Sequence, residues 1–266
     1  MDPEGGPMKI ARRLLPALLL TLALTAPCLG AADRGVLFQY STIQALMEGV
    51  YDGDLTYGEL KQHGDFGIGT LNALDGEMVA VDGKFYQIKA DGVAYPIPAS
   101  RKTPFAEVTF FKPDQTVMVS EPLNCYQLGK YLEKLLPSPN LSYAIRIEGV
   151  FPYIKARSLP PQRQPYPPLV TAAKHQSVFE FHDVRGVVVG FWAPKYLAGV
   201  DVSGFHLHFI TADRKAGGHL LDCRLAGAKV MIGNLSGLCL KLPQTPEFYQ
   251  WNFSGEKQKE IGQVER

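Results

Sequence analysis

The sequence predicts an α+β fold in which strands dominate and helices are few. Three observations carry this. Strand-like apolar stretches recur along the chain, and one pair is joined by the turn dipeptide Asp82-Gly83. Helical periodicity with capping signals is confined to a few short stretches. The second half is nearly all strand around one histidine-rich segment, without regular strand–helix–strand alternation.

Residues 1–30 are set aside as a signal peptide. Met8-Lys9-Ile10-Ala11-Arg12-Arg13 is basic, and residues 14–24 form an apolar run of about a dozen residues, too short for a comfortable membrane span. Cleavage is expected after Gly30 or a residue or two later. Cys28 raises a lipoprotein reading, which Pro27 directly before it disfavours. The expected location is therefore outside the cytoplasm, periplasmic or secreted, with no stable membrane association after cleavage.

The remaining chain, about 235 residues, allows one large domain or two small ones. Twenty-seven basic residues against 26 acidic ones give a net charge of +1. No basic run is interleaved with aromatics, so nothing points to nucleic acid or an anionic surface. Cys125, Cys223 and Cys239 lack paired-motif spacing. Buried free thiols are expected, although Cys223 and Cys239 could bridge in an oxidising compartment.

Residues 41–49 read as a short helix closed by Gly49. Thr56 with Glu59 three residues on is a capping box for a second helix ending near Gly64. Residues 64–72 hold three glycines at spacings of three and two with no lysine following, which suits a strand better than a phosphate-binding loop. Residues 74–81 and 84–88 form a hairpin across Asp82-Gly83. Strands follow near 93–97, 106–111 and 116–119. Asn124 caps a helix over 125–136, with Leu128, Leu132 and Leu135 at helical spacing and Pro137 beyond it. Residues 142–157 are extended, and the proline-dense stretch 160–168 is a linker or an ordered surface loop. Residues 177–181 and 186–191 look like a second hairpin. Residues 220–223 and 228–242 supply further strands. The polar end, 244–266, reads as a frayed helix or a disordered tail.

The histidine segment runs from Gly204 to His219. His206 and His208, two apart on a strand, share a face, and the polar turn ending in Gly217-Gly218 can fold His219 back beside them. Three neutral imidazoles suit a zinc ion with a fourth position open, the catalytic pattern. The same donors also suit Cu, Fe, Ni or Co. The glutamate that a cupin-like oxygenase site would add just after the pair is missing, since those positions hold Phe209, Ile210, Thr211 and Ala212. Glu77 is unusual as an acid inside an apolar run, although a solvent-facing strand glutamate is its ordinary reading. Arg157 reads equally well as an exposed strand end, and composition gives Glu265 no signal.

The chain from about Val36 onward resembles the acetolactate decarboxylase family. The resemblance is carried by Tyr51-Asp52-Gly53, His63-Gly64-Asp65-Phe66-Gly67-Ile68-Gly69-Thr70, Leu74-Asp75-Gly76-Glu77, Phe85-Tyr86-Gln87, and Ile147-Glu148-Gly149 with Arg157. It continues through Gly204-Phe205-His206-Leu207-His208-Phe209 and Gly217-Gly218-His219. It implies zinc on His206, His208 and His219, no organic cofactor, and catalytic roles for Glu77, Arg157 and a glutamate of the C-terminal tail. That tail residue is matched best by Glu265, with Glu260 as rival. Thr70 is implied to line the pocket. The implied reaction converts 2-acetolactate to acetoin and CO2, with zinc as Lewis acid stabilising an enediolate that a glutamate protonates. The resemblance further implies two domains, a mixed-sheet domain at 31–158 and a mostly β metal-binding domain with the active-site tail at 159–266, and a homodimer formed through the first. Two other classes compete. One is a secreted zinc hydrolase or hydratase on the same histidines. The other is a non-catalytic metal-stabilised module, with Asp213 or Asp222 as fourth ligand.

Overall fold

Sixteen strands and a handful of short helices follow one another among the residues described by the structure, a computed structural model. These are residues 35–253 and 258–265, together with Met1. The proposed signal peptide, with Cys28, lies outside them. Seven strands form a first sheet in the order Gly237–Lys241, Val36–Tyr40, Ala106–Thr109, Phe66–Thr70, Glu77–Val81, Lys84–Ile88 and Ala94–Pro96. All its neighbours are antiparallel except Val36–Tyr40 with Gly237–Lys241. Seven others form a second sheet: Leu123–Asn124, Gly217–Leu225, Gly204–Thr211, Ser177–Ala193, Ser142–Ser158, Ala228–Leu235 and Gln115–Val119. There Gly217–Leu225 also pairs with Ser142–Ser158, so four strands close on themselves. The described residues from 35 onward pack as one unit. Leu37, Ile68 and Val79 of the first sheet bury against Val187, Val189 and Ile210 of the second. A second apolar cluster lies between the curled sheet and the helix Cys125–Leu135, which contributes Leu128 and Leu132.

Local chemistry sets most element ends as the sequence implies. Thr56 and Glu59 complete both halves of their capping box, and Asn124 does the same with Gln127. Asp82 and Gly83 both take positive φ, the geometry of a two-residue hairpin turn. The first arm of that hairpin starts at Glu77 rather than 74, because Asn72–Leu74 form a 3-10 turn.

The expected hairpin within 177–191 is instead one continuous strand, Ser177–Ala193, laid along Ser142–Ser158. At its middle Asp183 adopts φ 48° opposite Pro152, which has no N–H to donate. The ladder skips that one pair and resumes, so the polar residues near 183 mark an irregularity and not a turn. The C-terminal end is also more ordered than its composition implies. It forms the helices Pro246–Gln250 and Gln258–Val264.

Candidate metal and active site

The alternation of the strand Gly204–Thr211 turns His206 and His208 to the same side. The following strand brings His219 directly opposite His208. All three are buried, and their ring centroids form a near-equilateral triangle with sides of 5.1, 5.2 and 5.3 Å. One nitrogen from each lies within 4.8 Å of the others. His208 donates Nδ1–H to the Met78 carbonyl at 2.9 Å, which turns its Nε2 toward the cluster. Gly218 allows the approach. Its φ is +148°, and a Cβ there would sit 2.4 Å from the Arg157 carbonyl oxygen.

Burial keeps these imidazoles neutral. It pushes His208 down to about 3, and it drives His206 and His219 well below the ordinary histidine range, with neighbouring imidazoles and Arg157 adding to the effect. His206 Nδ1, His208 Nε2 and both nitrogens of His219 are buried with no hydrogen-bond partner. Buried polar atoms are rarely left so, and neutral imidazoles with open lone pairs are in the state that metal ligation requires. The donor set therefore fits a zinc ion.

Glu77 enters from the first sheet, at the start of Glu77–Val81. Its turn is pinned from several sides. Thr70 Oγ1 donates to the Gly76 carbonyl at 2.6 Å, Gln87 Nε2 donates to the Asp75 carbonyl at 2.6 Å, and Gly76 N–H donates to the Leu159 carbonyl at 3.1 Å. Gly76 takes φ +84°, with the Ile88 carbonyl oxygen 2.3 Å from where a Cβ would stand. Thr70 thus lines the site and also shapes the turn that aims Glu77.

Arg157, in the long strand Ser142–Ser158 and opposite His219, joins the parts. Its Nη1 donates to Glu77 Oε1 at 2.7 Å, and its Nη2 donates to the Val264 carbonyl at 3.0 Å. Glu265 follows the helix Gln258–Val264 and is buried. Its Oε2 lies 3.3 Å from His206 Nε2, 3.5 Å from Arg157 Nη2 and 3.6 Å from His219 Nδ1. Glu77 Oε2 is 3.7 Å from His208 Nε2. Burial pushes the Glu77 carboxyl up to about 7 against the opposing pull of Arg157, and raises Glu265 in the same way.

The site closes around a cavity of about 20 Å³, lined by Thr70, Glu77, Arg157, His206, His208 and Glu265 with an apolar wall that includes Leu46, Phe105 and Leu169. All seven residues singled out from the sequence therefore meet in one place. Glu265 is the tail glutamate that reaches the histidines, while Glu260 lies five residues earlier in the helix. Asp213 is exposed and accepts from Thr211 Oγ1 in the hairpin turn, and Asp222 is exposed beside Cys223, so neither completes the histidine set. Sequence reasoning missed two backbone partners, the Met78 carbonyl that orients His208 and the Val264 carbonyl held by Arg157. No side-chain pattern marks either. It also missed Glu107 and Asp201, buried carboxyls that face each other. The signal for Glu107 was an acid inside the apolar run Phe105-Ala106-Glu107-Val108.

A buried three-histidine cluster with the donor set for a metal ion, flanked by two carboxylates and an arginine between two sheets, combines ligand and acid–base groups of the kind an active site needs. The profile of the alpha-acetolactate decarboxylase family matches residues 37–255. An alpha-acetolactate decarboxylase of Methanosarcina mazei is 48% identical over 231 residues, 87% of this chain and 80% of its own length. One from Bacillus licheniformis is 44% identical, covering 82% and 86%. The crystal structure of the alpha-acetolactate decarboxylase of Bacillus subtilis strain 168 superposes with a TM-score of 0.85 at 42% identity, over 86% of this chain and 99% of that one. The chain belongs to the alpha-acetolactate decarboxylase family, and is thus an enzyme of the decarboxylase class.

Proposed function

We propose that this chain decarboxylates 2-acetolactate to acetoin and CO2, with zinc held by His206, His208 and His219. The observation that carries the reading is the convergence of three neutral imidazoles with Glu77, Arg157 and Glu265 around one small buried site. When bound, the ion supplies Lewis-acid stabilisation of the negative charge that develops on the substrate's ketone oxygen, an effect of several kcal/mol.

The protein's own groups do the rest. Arg157 has an Nε–H that is buried and unpartnered, and its guanidinium fork suits a carboxylate. It orients the carboxylate that leaves. Breaking that C–C bond moves the electron pair onto the adjacent ketone, and the resulting enediolate carbon needs a proton from one face. Glu77 approaches from the first sheet and Glu265 from the end of the terminal helix, on different flanks of the histidine cluster. They share the two proton transfers, one to that carbon and one at the hydroxyl. Leu46, Phe105 and Leu169 make one wall of the cavity apolar, and charge interactions are stronger beside such a wall than in water.

The test is acetoin formation from racemic acetolactate by the purified chain as isolated, after chelation, and after zinc is returned. Turnover should disappear on chelation and come back with zinc. Hydrolysis of ester probes or hydration of CO2, without acetoin, would establish the hydrolase or hydratase reading instead.

A further inference from the structure

We propose that Cys125 and Cys223 form a reversible disulfide that staples the helix Cys125–Leu135 to the strand carrying His219. The short strand Leu123–Asn124 pairs antiparallel with Gly217–Leu225, with Leu123 opposite Leu225 and Asn124 opposite Arg224. Continued one residue past the end of the ladder, that register brings Cys125, the first residue of the helix, level with Cys223. Opposed residues in such a ladder have Cα atoms about 4.5–5.5 Å apart, inside the range a disulfide spans. Each thiol is the largest single influence on the other's acidity, as two neighbouring sulfurs would be. Both are free thiols in the structure. Cys239, the partner considered for Cys223 from sequence, lies in the first sheet among Phe38, Tyr40 and Val108.

The two cysteines differ in the way a stepwise oxidation needs. Cys125 is the first residue of an 11-residue helix and is only half-buried. It also lines a cavity of about 380 Å³ beside that helix, which gives an oxidant access. Its thiol is pulled down, chiefly by the neighbouring Cys223 thiol. Cys223 is fully buried, and its thiol is pushed up by the Cys125 sulfur and by burial. Cys125 is therefore the attacking thiolate and Cys223 the resolving one. With a small-molecule disulfide as oxidant, the Cys125 sulfur attacks one oxidant sulfur, the oxidant S–S bond breaks, and the first thiol leaves. Cys223 then gives up its proton, attacks the Cys125 sulfur and expels the second thiol. Two protein thiols are oxidised, one oxidant disulfide is reduced, and the two protein protons end on the two released thiols.

The bridge closes a loop of about 100 residues, for which chain-entropy arguments give a rise in Tm of about 10 °C in a chain of this size. The experiment treats the full chain with oxidised glutathione and maps peptides without reduction. The expected result is a peptide pair linked through Cys125 and Cys223, an intact mass lower by two hydrogens, and a Tm increase reversed by dithiothreitol. Cys239→Ser should behave identically, while Cys125→Ser and Cys223→Ser should show no Tm increase. Linkage of either residue to Cys28 or Cys239 would overturn the proposal, as would glutathione remaining on Cys125 or both thiols staying reduced. A Cys125–Cys223 link that leaves Tm unchanged would overturn the staple.

Discussion

Arg157 is buried at 2% exposure, yet it is tied to three elements at once: Glu77 of the first sheet, the Val264 carbonyl of the terminal helix, and Glu265 beyond it. A lysine cannot reproduce this, because one ammonium lacks the planar fork. Arg157→Lys should therefore lower kcat/KM by about 100-fold or more and also loosen the tail. Faster proteolysis near residue 258 would report the second effect, and a variant with unchanged turnover and an unchanged tail would contradict both. Glu77 calls for a finer substitution. Glu77→Gln keeps the volume and a hydrogen-bonding oxygen for Arg157 but removes the transferable proton, so turnover should drop by about 10²–10⁴-fold. The capacity to bind zinc should stay at the wild-type level, since the three imidazoles are untouched. Retained activity would remove Glu77 from the proton transfers. Glu77 was legible as an acid within Met78-Val79-Ala80-Val81, and the histidines were legible from a two-residue spacing and a Gly-Gly turn. Glu265 was reached only through the family resemblance, because nothing within its own neighbourhood tells a tail residue that it will be buried.

The terminal helix Gln258–Val264 is the element that makes Glu265 part of the site. It docks through Ile261 and Val264, which join Leu46, Leu74, Phe105, Leu159, Leu169 and Val202 in one apolar cluster. Gln258-Lys259-Glu260-Ile261-Gly262-Gln263-Val264 has only two apolar anchors, too few to announce a buried helix by periodicity. Its order comes from contacts with residues some 60 to 215 positions away in the chain. Propensity cannot see such contacts, and a helix this short would be marginal alone. The same limit explains the strand Ser177–Ala193. Asp183 and its polar neighbours resemble a turn locally, and only the 17-residue partner Ser142–Ser158 keeps them extended. Ile261→Asp tests the docking. A charge at this buried position is unfavourable enough that the helix should leave its site. Acetoin formation should fall by about 100-fold or more, while circular dichroism and zinc stoichiometry stay near wild type. Full activity in that variant would mean that Glu265 is dispensable.

Across the whole molecule, two facing sheets bury more carboxyls than the proposed chemistry uses. Glu107, on the strand Ala106–Thr109, faces Asp201, from the loop that leads into the histidine strand. Both are essentially inaccessible, and neither Glu107 oxygen has a donor among the described residues. Asp201 accepts from the Val202 N–H, and Gln39, opposite Glu107 in the sheet, donates instead to the Val200 and Ser41 carbonyls. The pair is stable only if it shares a proton, and burial raises both carboxyls. The Asp201 and Glu265 charges push Glu107 further, well above its ordinary value. The sign of the consequence follows from linkage. A carboxyl raised on folding binds its proton more tightly in the folded state than in the unfolded chain. Its stabilising effect is complete below the ordinary carboxylate value and is lost as pH rises toward the raised one. Stability should therefore decline with increasing pH across that window, and the loop 198–203 should be the first contact between the sheets to weaken. Glu107→Gln provides the test, because its amide N–H donates to the Asp201 carboxylate at every pH, as the shared proton does only while it remains bound. Tm measured against pH should fall less steeply for Glu107→Gln than for the wild type, with the two curves diverging toward alkaline pH. Parallel curves would show that the pair does not hold a proton through this range.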